Sequence, residues 1–145
     1  MANVQEKPTV KIAGCFLEYK GRFLILHRNP GGRHGGRWGL PAGKVEQGET
    51  ENEAVRREVL EETGFLTPFK KFEFLKKITF DFPEKIIYFF VYRVNLESKI
   101  KVFLNRRENQ DWAWTTGKEC YARDDLIDGV RTTLEKTGYA SMDAA

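Results

Sequence analysis

Apolar and polar positions alternate in a readable order along the chain. Thr9 to Glu18 is rich in β-branched and apolar residues and predicts a strand. Tyr19-Lys20-Gly21 predicts a turn, and Arg22 to Arg28 returns as a second strand, giving a hairpin. Asn29 to Arg37 is a glycine-rich loop, and Trp38 to Gly43 leads out of it. A helix is predicted next. Thr50 is its N-cap, Glu53 three residues on completes a capping box, and Gly64 stops it. Phe72, Phe74, Ile78, Phe80 and Phe82 predict a half-exposed strand within Phe69 to Phe82. Pro83-Glu84-Lys85 turns the chain. Ile86 to Val94 is almost wholly apolar, which predicts a central strand covered on both faces. Glu97 to Asn105 is a connection, and Trp112 to Thr115 a short strand. Leu126, Ile127, Val130 and Leu134 predict an amphipathic helix over Arg123 to Thr137, closed by Gly138.

These elements imply an α/β (α+β) fold: one domain over 9–138, with a mixed sheet between helices. Residues 1–8 are expected to be a flexible N-terminus and 139–145 a loose tail. The length of 145 residues allows one proper core. With 41% hydrophobic and 31% charged residues, the balance is that of a soluble globular chain. A net charge of +3 suits a phosphorylated ligand but does not mark a nucleic-acid surface. Cys15 and Cys120 have no metal-ligand spacing and read as buried free thiols, with a disulfide left open. No apolar leader or spanning run is present, so the expected address is cytoplasmic, without a membrane partner.

The chemistry concentrates on the helix after Thr50. On a helical wheel, Glu58, Glu61 and Glu62 share a sector roughly 100° wide. Val55 and Val59 lie beside it, able to face a sheet. Carboxylates so placed sit about 6 Å apart. Partly buried, each pair would repel by roughly 3 kcal/mol at an effective dielectric near 20. Two readings follow: a solvated acidic face, or a site for a hard divalent cation.

The stretch from Gly43 to Phe65 decides between them. Gly43, Glu49, Arg57, Glu58, Val59, Glu61, Glu62, Gly64 and Phe65 stand at the spacing G-x5-E-x7-R-E-U-x-E-E-x-G-U, where U is a bulky apolar residue. A chance match in a chain of this size is on the order of one in a million. The stretch resembles the Nudix box, the signature of the Nudix hydrolases, and covers 23 of the 145 residues.

The resemblance implies an α/β/α sandwich. It also implies cleavage of a nucleoside diphosphate linked to another group, with Mg²⁺ (or Mn²⁺ as substitute). Carried over residue by residue, Glu58, Glu61 and Glu62 would bind metal, with the Gly43 carbonyl a further ligand. Glu49 and Arg57 would pair to hold loop and helix in register, and Gly64 would serve the turn. Family members often place another glutamate on a loop before an aromatic strand, and Glu108 matches that spacing better than Asp111. The general base is Glu58 first and Glu108 second.

Phosphate contacts are expected from Arg28, Arg37 and Lys44, with Arg33 a further candidate. Trp38 is either a base-stacking or a packing residue, and His27 a structural histidine.

Substrate choice lies outside the box. The chain lacks the cysteine set of NADH-cleaving members and the upstream motif of coenzyme A-cleaving members. Pro83 and Tyr88 stand too far along to mark ADP-ribose or dinucleoside polyphosphate hydrolysis. A (deoxy)nucleoside triphosphate, giving the monophosphate and pyrophosphate, is the favoured substrate. Nucleotide sugars, ADP-ribose and dinucleoside polyphosphates are alternatives. A regulatory domain that binds nucleotide without turnover and a nucleic-acid module are the competing classes. The expected partner is therefore a small nucleotide, with no stable nucleic-acid partner, and the chain a monomer or homodimer.

Overall fold

The computed structural model describes residues 6–144. Residues 1–5 of the expected N-terminus and residue 145 of the expected tail lie outside them. Strand β1 (Thr9–Tyr19) turns through Lys20 and Gly21 into β2 (Arg22–Arg28). Both turn residues have positive φ, 49° and 77°, as a tight hairpin requires. Two short strands follow, β3 (Trp38–Gly39) and β4 (Ala42–Lys44), and then helix α1 (Glu51–Thr63). After a single 3-10 turn at Phe69–Lys71 come β5 (Glu73–Asp81), β6 (Ile86–Asn95) and β7 (Asn109–Thr115). Helices α2 (Gly117–Tyr121) and α3 (Val130–Thr137) close the chain. No helix among the described residues is long and apolar enough to cross a membrane.

The seven strands form one mixed sheet of order β3-β2-β1-β6-β5, with β4 on β1 and β7 on β2. β1 and β6 run parallel along their whole length, from Thr9↔Ile86 to Glu18↔Asn95. On its other edge β1 meets β2 only at the hairpin tip, Glu18↔Phe23 and Tyr19↔Arg22. Further back that edge pairs with β4, through Ile12↔Lys44, Ala13↔Gly43 and Gly14↔Ala42. The divergence of β1 from β2 opens a seam in the sheet, and β4 carries Gly43 into it.

The alternating pattern of β1 fills two cores. Ala13, Cys15 and Leu17 pack toward Ala54, Val55 and Val59 of α1. Phe16 packs on the opposite face with Val130 and Leu134 of α3. The result is the α/β/α sandwich. Cys15 and Cys120 are buried free thiols, and burial raises the pKa of both, Cys120 to about 11.

Four expectations need correction. The helix expected over Arg123 to Thr137 begins only at Val130. Upstream, Leu126 bridges Trp38, Asp125 O accepts from Trp38 N, and Ile127 N donates to Trp38 O. Those backbone groups are taken by the edge strand β3, and Gly129 (φ 96°) sets the break.

The expected alternation of β5 is also interrupted. A register shift between Phe74 and Lys76 turns Leu75 toward the α3-side core and leaves Phe74 52% exposed.

β6 is covered on both faces only in its second half. Ile87 and Phe89 line an open cavity, and on the opposite face Tyr88 and Phe90 lie under Lys77 Nζ at 4.3 and 5.9 Å.

The tail, finally, is anchored. Tyr139 is 2% exposed and stacks on Phe16 with ring centroids 3.9 Å apart.

Candidate active site

Helix α1 is held at both ends. Thr50 Oγ1 accepts from Glu53 N at 3.1 Å, and Glu53 Oε1 accepts from Thr50 N at 3.0 Å. Gly64, in the left-handed conformation at φ 78°, donates to Leu60 O at 2.9 Å. The packing of Val55 and Val59 on β1 and β4 fixes the helix's rotation, and that rotation carries Glu62 inward. Glu62 is 2% exposed, a costly place for a carboxylate. Oε2 accepts from Ala42 N at 3.3 Å, and Oε1 stands 3.8 Å from Arg28 Nη1. Burial, then the neighbouring charge of Glu58, push its pKa well above the ordinary carboxylate value.

Glu58 lies one turn earlier, half-buried against β4. An added Cβ at Gly43 would stand 2.2 Å from its carboxyl carbon. Arg57 Nη1 donates to Glu58 Oε1 at 2.8 Å. Burial raises the pKa of Glu58 against the pull of Arg57. Arg57 itself grips Glu49 with two bonds, Nε to Oε2 at 2.6 Å and Nη2 to Oε1 at 2.9 Å. Its Nη2 also donates to Lys44 O at 3.0 Å, which ties the helix to β4. Glu49 Oε1 in turn accepts from Glu46 N at 2.8 Å. The hydrogen bonds of Arg57 lower the pKa of Glu49.

Glu58 and Glu62 line a cavity of about 660 Å³. Gly43, Lys44, Glu58, Glu62, Arg28 and Glu108 share its wall. Arg28, at the end of β2, also stands 3.7 Å from Glu108 Oε2, so it links the helix carboxylate to the loop carboxylate. Apolar side chains line the same cavity, among them Phe80, Phe89 and Ile127. Arg33 and His34 of the glycine-rich loop reach the cavity too. Burial and then the charges of Arg33 and Arg28 lower the pKa of His34, which favours a neutral ring.

Three expected site residues do not line the cavity. Glu61 points to solvent with a side chain 52% exposed, and its Oε2 accepts from Arg57 Nη1 at 3.3 Å. The wheel places it in the sector of Glu58 and Glu62, but the buried stripe passes through Glu62 and leaves Glu61 outside. Arg37 is exposed and donates to Leu126 O at 3.1 Å, away from the cavity wall. Trp38 is buried. It stacks on His27 at 4.4 Å, and Arg123 Cζ lies 4.8 Å from its ring centre. His27 Nε2 meets the Gly36 carbonyl at 3.0 Å, so both rings are packing elements.

Asn109, Asp128 and the aromatic side chains of the cavity carry no signal in the sequence that marks them as site residues. The phenylalanines carried a strand pattern, but nothing in the sequence tells a core ring from a cavity ring.

Among the described residues, no three carboxylate, imidazole or thiol groups are gathered closely enough to complete a metal's ligand set. Two carboxylates with raised pKa nevertheless share a wall with Glu108, and all are oxygen donors of the kind hard cations take. Gly43 leaves open the space that any side chain would fill against Glu58. The residues fit a divalent cation bound between Glu58, Glu62 and the Gly43 backbone, with Glu108 facing them.

Comparison with known proteins agrees. The family model described as the NUDIX domain matches residues 7–136. The nucleoside triphosphatase NudI of Salmonella arizonae is 30% identical over 138 residues, covering 90% of this chain and 93% of that protein. The 8-oxo-dGTP diphosphatase of Haemophilus influenzae is 32% identical over 91 residues, 62% of this chain and 65% of that protein. The crystal structure of the MutT protein from Methanosarcina mazei superposes with a TM-score of 0.78 at 27% identity, covering 93% of this chain and 96% of the other. With its box folded around a carboxylate-lined cavity and its domain matched almost end to end, the chain belongs to the Nudix family of hydrolases.

Proposed function

We propose that this hydrolase is a Mg²⁺-dependent pyrophosphohydrolase of (deoxy)nucleoside triphosphates, releasing a nucleoside monophosphate and pyrophosphate. One observation carries the reading: a single cavity is lined both by carboxylates, Glu58 and Glu62 beside Gly43, and by aromatic side chains, Phe80 and Phe89. A triphosphate with a nucleoside attached combines the same two characters. The names of two relatives, a nucleoside triphosphatase and an 8-oxo-dGTP diphosphatase, support the substrate class.

Glu58, Glu62, Glu108 and the Gly43 carbonyl would hold the cation, Mg²⁺ with Mn²⁺ as substitute. When bound, it supplies charge neutralisation along the phosphate chain and a more acidic water. Arg28 and Lys44, on the same cavity wall, bind phosphate oxygens, and Phe80 and Phe89 exclude water from the nucleoside. Glu58 takes the proton of the attacking water as its oxygen bonds to phosphorus. The bridging P–O bond breaks, and the electron pair leaves with pyrophosphate. Burial raises the proton affinity of Glu58, which suits a base. Arg57 keeps its carboxylate against Gly43, and the Arg57–Glu49 fork holds Arg57.

A panel of triphosphates, 8-oxo-dGTP, nucleotide sugars, ADP-ribose and dinucleoside polyphosphates, incubated with Mg²⁺ and analysed for products, tests the reading. Pyrophosphate release from triphosphates is expected, with Glu58→Gln slower by roughly 10²–10⁴-fold and Glu108→Gln less affected. If the protein releases no pyrophosphate from any triphosphate, the reading fails. A larger loss in Glu108→Gln would move the base to the loop.

A further inference from the structure

Two side-chain polar atoms are buried with no hydrogen-bond partner among the described residues, Asn52 Oδ1 and Asn109 Nδ2. Asn52 lies on the first turn of α1, away from the cavity, whereas Asn109 lies on its wall. Asn109 is 0% exposed. Its position follows from a register shift in the β2–β7 ladder between His27 and Arg28, which pairs Arg28 with Asn109. The backbone N–H of Asn109 donates to Asn105 O at 2.9 Å, so that donor is satisfied. The side-chain Oδ1 accepts from Arg28 Nη1 at 3.5 Å. That contact sets the orientation of the amide, because reversing it would place an NH₂ donor against a guanidinium donor. The Nδ2 group is left with hydrogens and no acceptor. A buried donor without an acceptor destabilises the protein that carries it, and an apolar side chain of the same branching would avoid the cost.

The setting indicates which acceptor is missing. Arg28 Nη1, which meets Asn109 Oδ1, also stands 3.8 Å from Glu62 and 3.7 Å from Glu108. Its charge is therefore shared between two carboxylates. Beside it, the amide is an uncharged donor on the stretch of cavity wall that holds Arg28, Glu62 and Glu108.

We infer that Asn109 is a substrate-contact residue whose Nδ2–H donates to an oxygen of the bound phosphate chain, next to Arg28. The inference rests on the nucleotide-hydrolase reading for the identity of the ligand. It gives an unpaired buried amide a partner that arrives only with substrate, and it predicts opposite signs for stability and binding.

Asn109→Leu and Asn109→Ala test it, with inorganic pyrophosphate in the presence of Mg²⁺ as the phosphate probe and guanosine as the phosphate-free control. Titration calorimetry is expected to show pyrophosphate affinity falling by about five- to thirty-fold in both variants, the range of one lost hydrogen bond. Guanosine binding is expected to stay unchanged. Without ligand, the Leu variant is expected to unfold at or above the parent's temperature. The Ala variant, which cannot overpack, serves as the arbiter if Leu fails to fold. Pyrophosphate affinity within twofold of the parent in a folded variant overturns the inference. So does a loss of binding matched in the Ala variant by a parallel drop in ligand-free stability, since that would make the amide structural. Weakened guanosine binding with pyrophosphate unchanged would move the acceptor to the nucleoside and overturn the phosphate assignment. If the parent hydrolyses no triphosphate yet binds pyrophosphate through Asn109, the triphosphate reading fails and the phosphate contact of Asn109 stands. Hydrolysis with unchanged pyrophosphate affinity in both variants sinks the inference alone.

Discussion

The Glu58 carboxylate occupies the space that a side chain at Gly43 would need: an added Cβ would stand 2.2 Å from both its Cδ and its Oε1. Neither partner can easily retreat. Gly43 is paired to Ala13 of β1, and Glu58 is held by Arg57 at 2.8 Å. Gly43→Ala must therefore push the carboxylate out of the cavity wall. The expected result is a fall in kcat/KM of roughly 10²–10³-fold, the scale of a lost electrostatic group at a reacting centre. The side chain that moves is polar and half-buried, so the stability cost should stay near 1 kcal/mol. Steady-state kinetics beside a urea titration would measure both. Near-parental activity would show that Glu58 need not touch the β4 backbone.

Glu62 gives the protein a pH dependence opposite to that of most paired carboxylates. Burial first, then the charge of Glu58, raise its folded-state pKa well above the ordinary carboxylate value, against Arg28. A raised pKa means the folded chain keeps the proton where the unfolded chain has lost it. The stability so conferred is complete below about 4.5 and is lost as pH climbs through the raised value. Glu58 adds to it in the same direction. Glu49, Glu51 and Asp125 have lowered pKa values and act in the opposite sense, but their contribution is complete above the ordinary carboxylate range. Thermal unfolding in EDTA should therefore show the midpoint falling as pH rises above about 5, a slope that Glu62→Gln reduces. Adding Mg²⁺ at neutral pH should raise the parent's midpoint and leave the variant's nearly unmoved. A midpoint that climbs with pH across this window, or a slope indifferent to Glu62→Gln, would contradict the account.

Much of this was legible because it is local. The capping box at Thr50 and Glu53, the stop at Gly64 and the hairpin at Lys20-Gly21 are decided by neighbours within a few residues, and the structure has them where the sequence placed them. What was not legible depends on distant backbone. Residues 125–127 carry a helical apolar stripe, yet their peptide groups are claimed by Trp38, about ninety positions earlier in the chain. Glu61 shares a wheel sector with Glu62, but only packing on β1 and β4 reveals which flank of that sector turns inward. Asn109 is an ordinary polar residue until the β2–β7 register shift buries it. At each of these places tertiary contact decides what the local pattern leaves open.

The Arg57–Glu49 fork is expected to act as one unit. Arg57 bonds Glu49 through two nitrogens and reaches Lys44 O with the second of them. A lysine cannot reproduce that planar geometry. Arg57→Lys should destabilise the fold by about 1–3 kcal/mol and lower kcat/KM, because Glu58 loses its donor too. Glu49→Gln keeps one acceptor and should cost less. In a double-mutant cycle the two losses should fall short of additivity by about 0.5–3 kcal/mol. Additive losses would mean the side chains serve separate purposes.

The C-terminal segment should matter to folding and not to chemistry. Tyr139 stacks on Phe16 with an interplanar angle of 5°, and its hydroxyl donates to Glu18 Oε2 at 2.8 Å. Its backbone N–H donates to Leu134 O at 2.9 Å, past the helix stop at Gly138. Gly117 is packed so closely beneath it that an added Cβ would lie 1.6 Å from Tyr139 O. The ring therefore joins α2, α3 and β1 in a single core. Tyr139→Ala should cost about 3–5 kcal/mol, as removal of a buried aromatic does. Tyr139→Phe, which loses only the hydroxyl, should cost about 1 kcal/mol. A chain ending at Gly138 should be less stable than Tyr139→Ala, because it also forfeits the bond from Lys118 N to Met142 O. Tyr139 lies off the cavity wall, so kcat/KM per folded molecule should stay within about twofold of the parent at a temperature where Tyr139→Ala remains folded. Urea titration separates these effects. A truncated chain as stable as the parent would return residues 139–144 to the status of a loose tail.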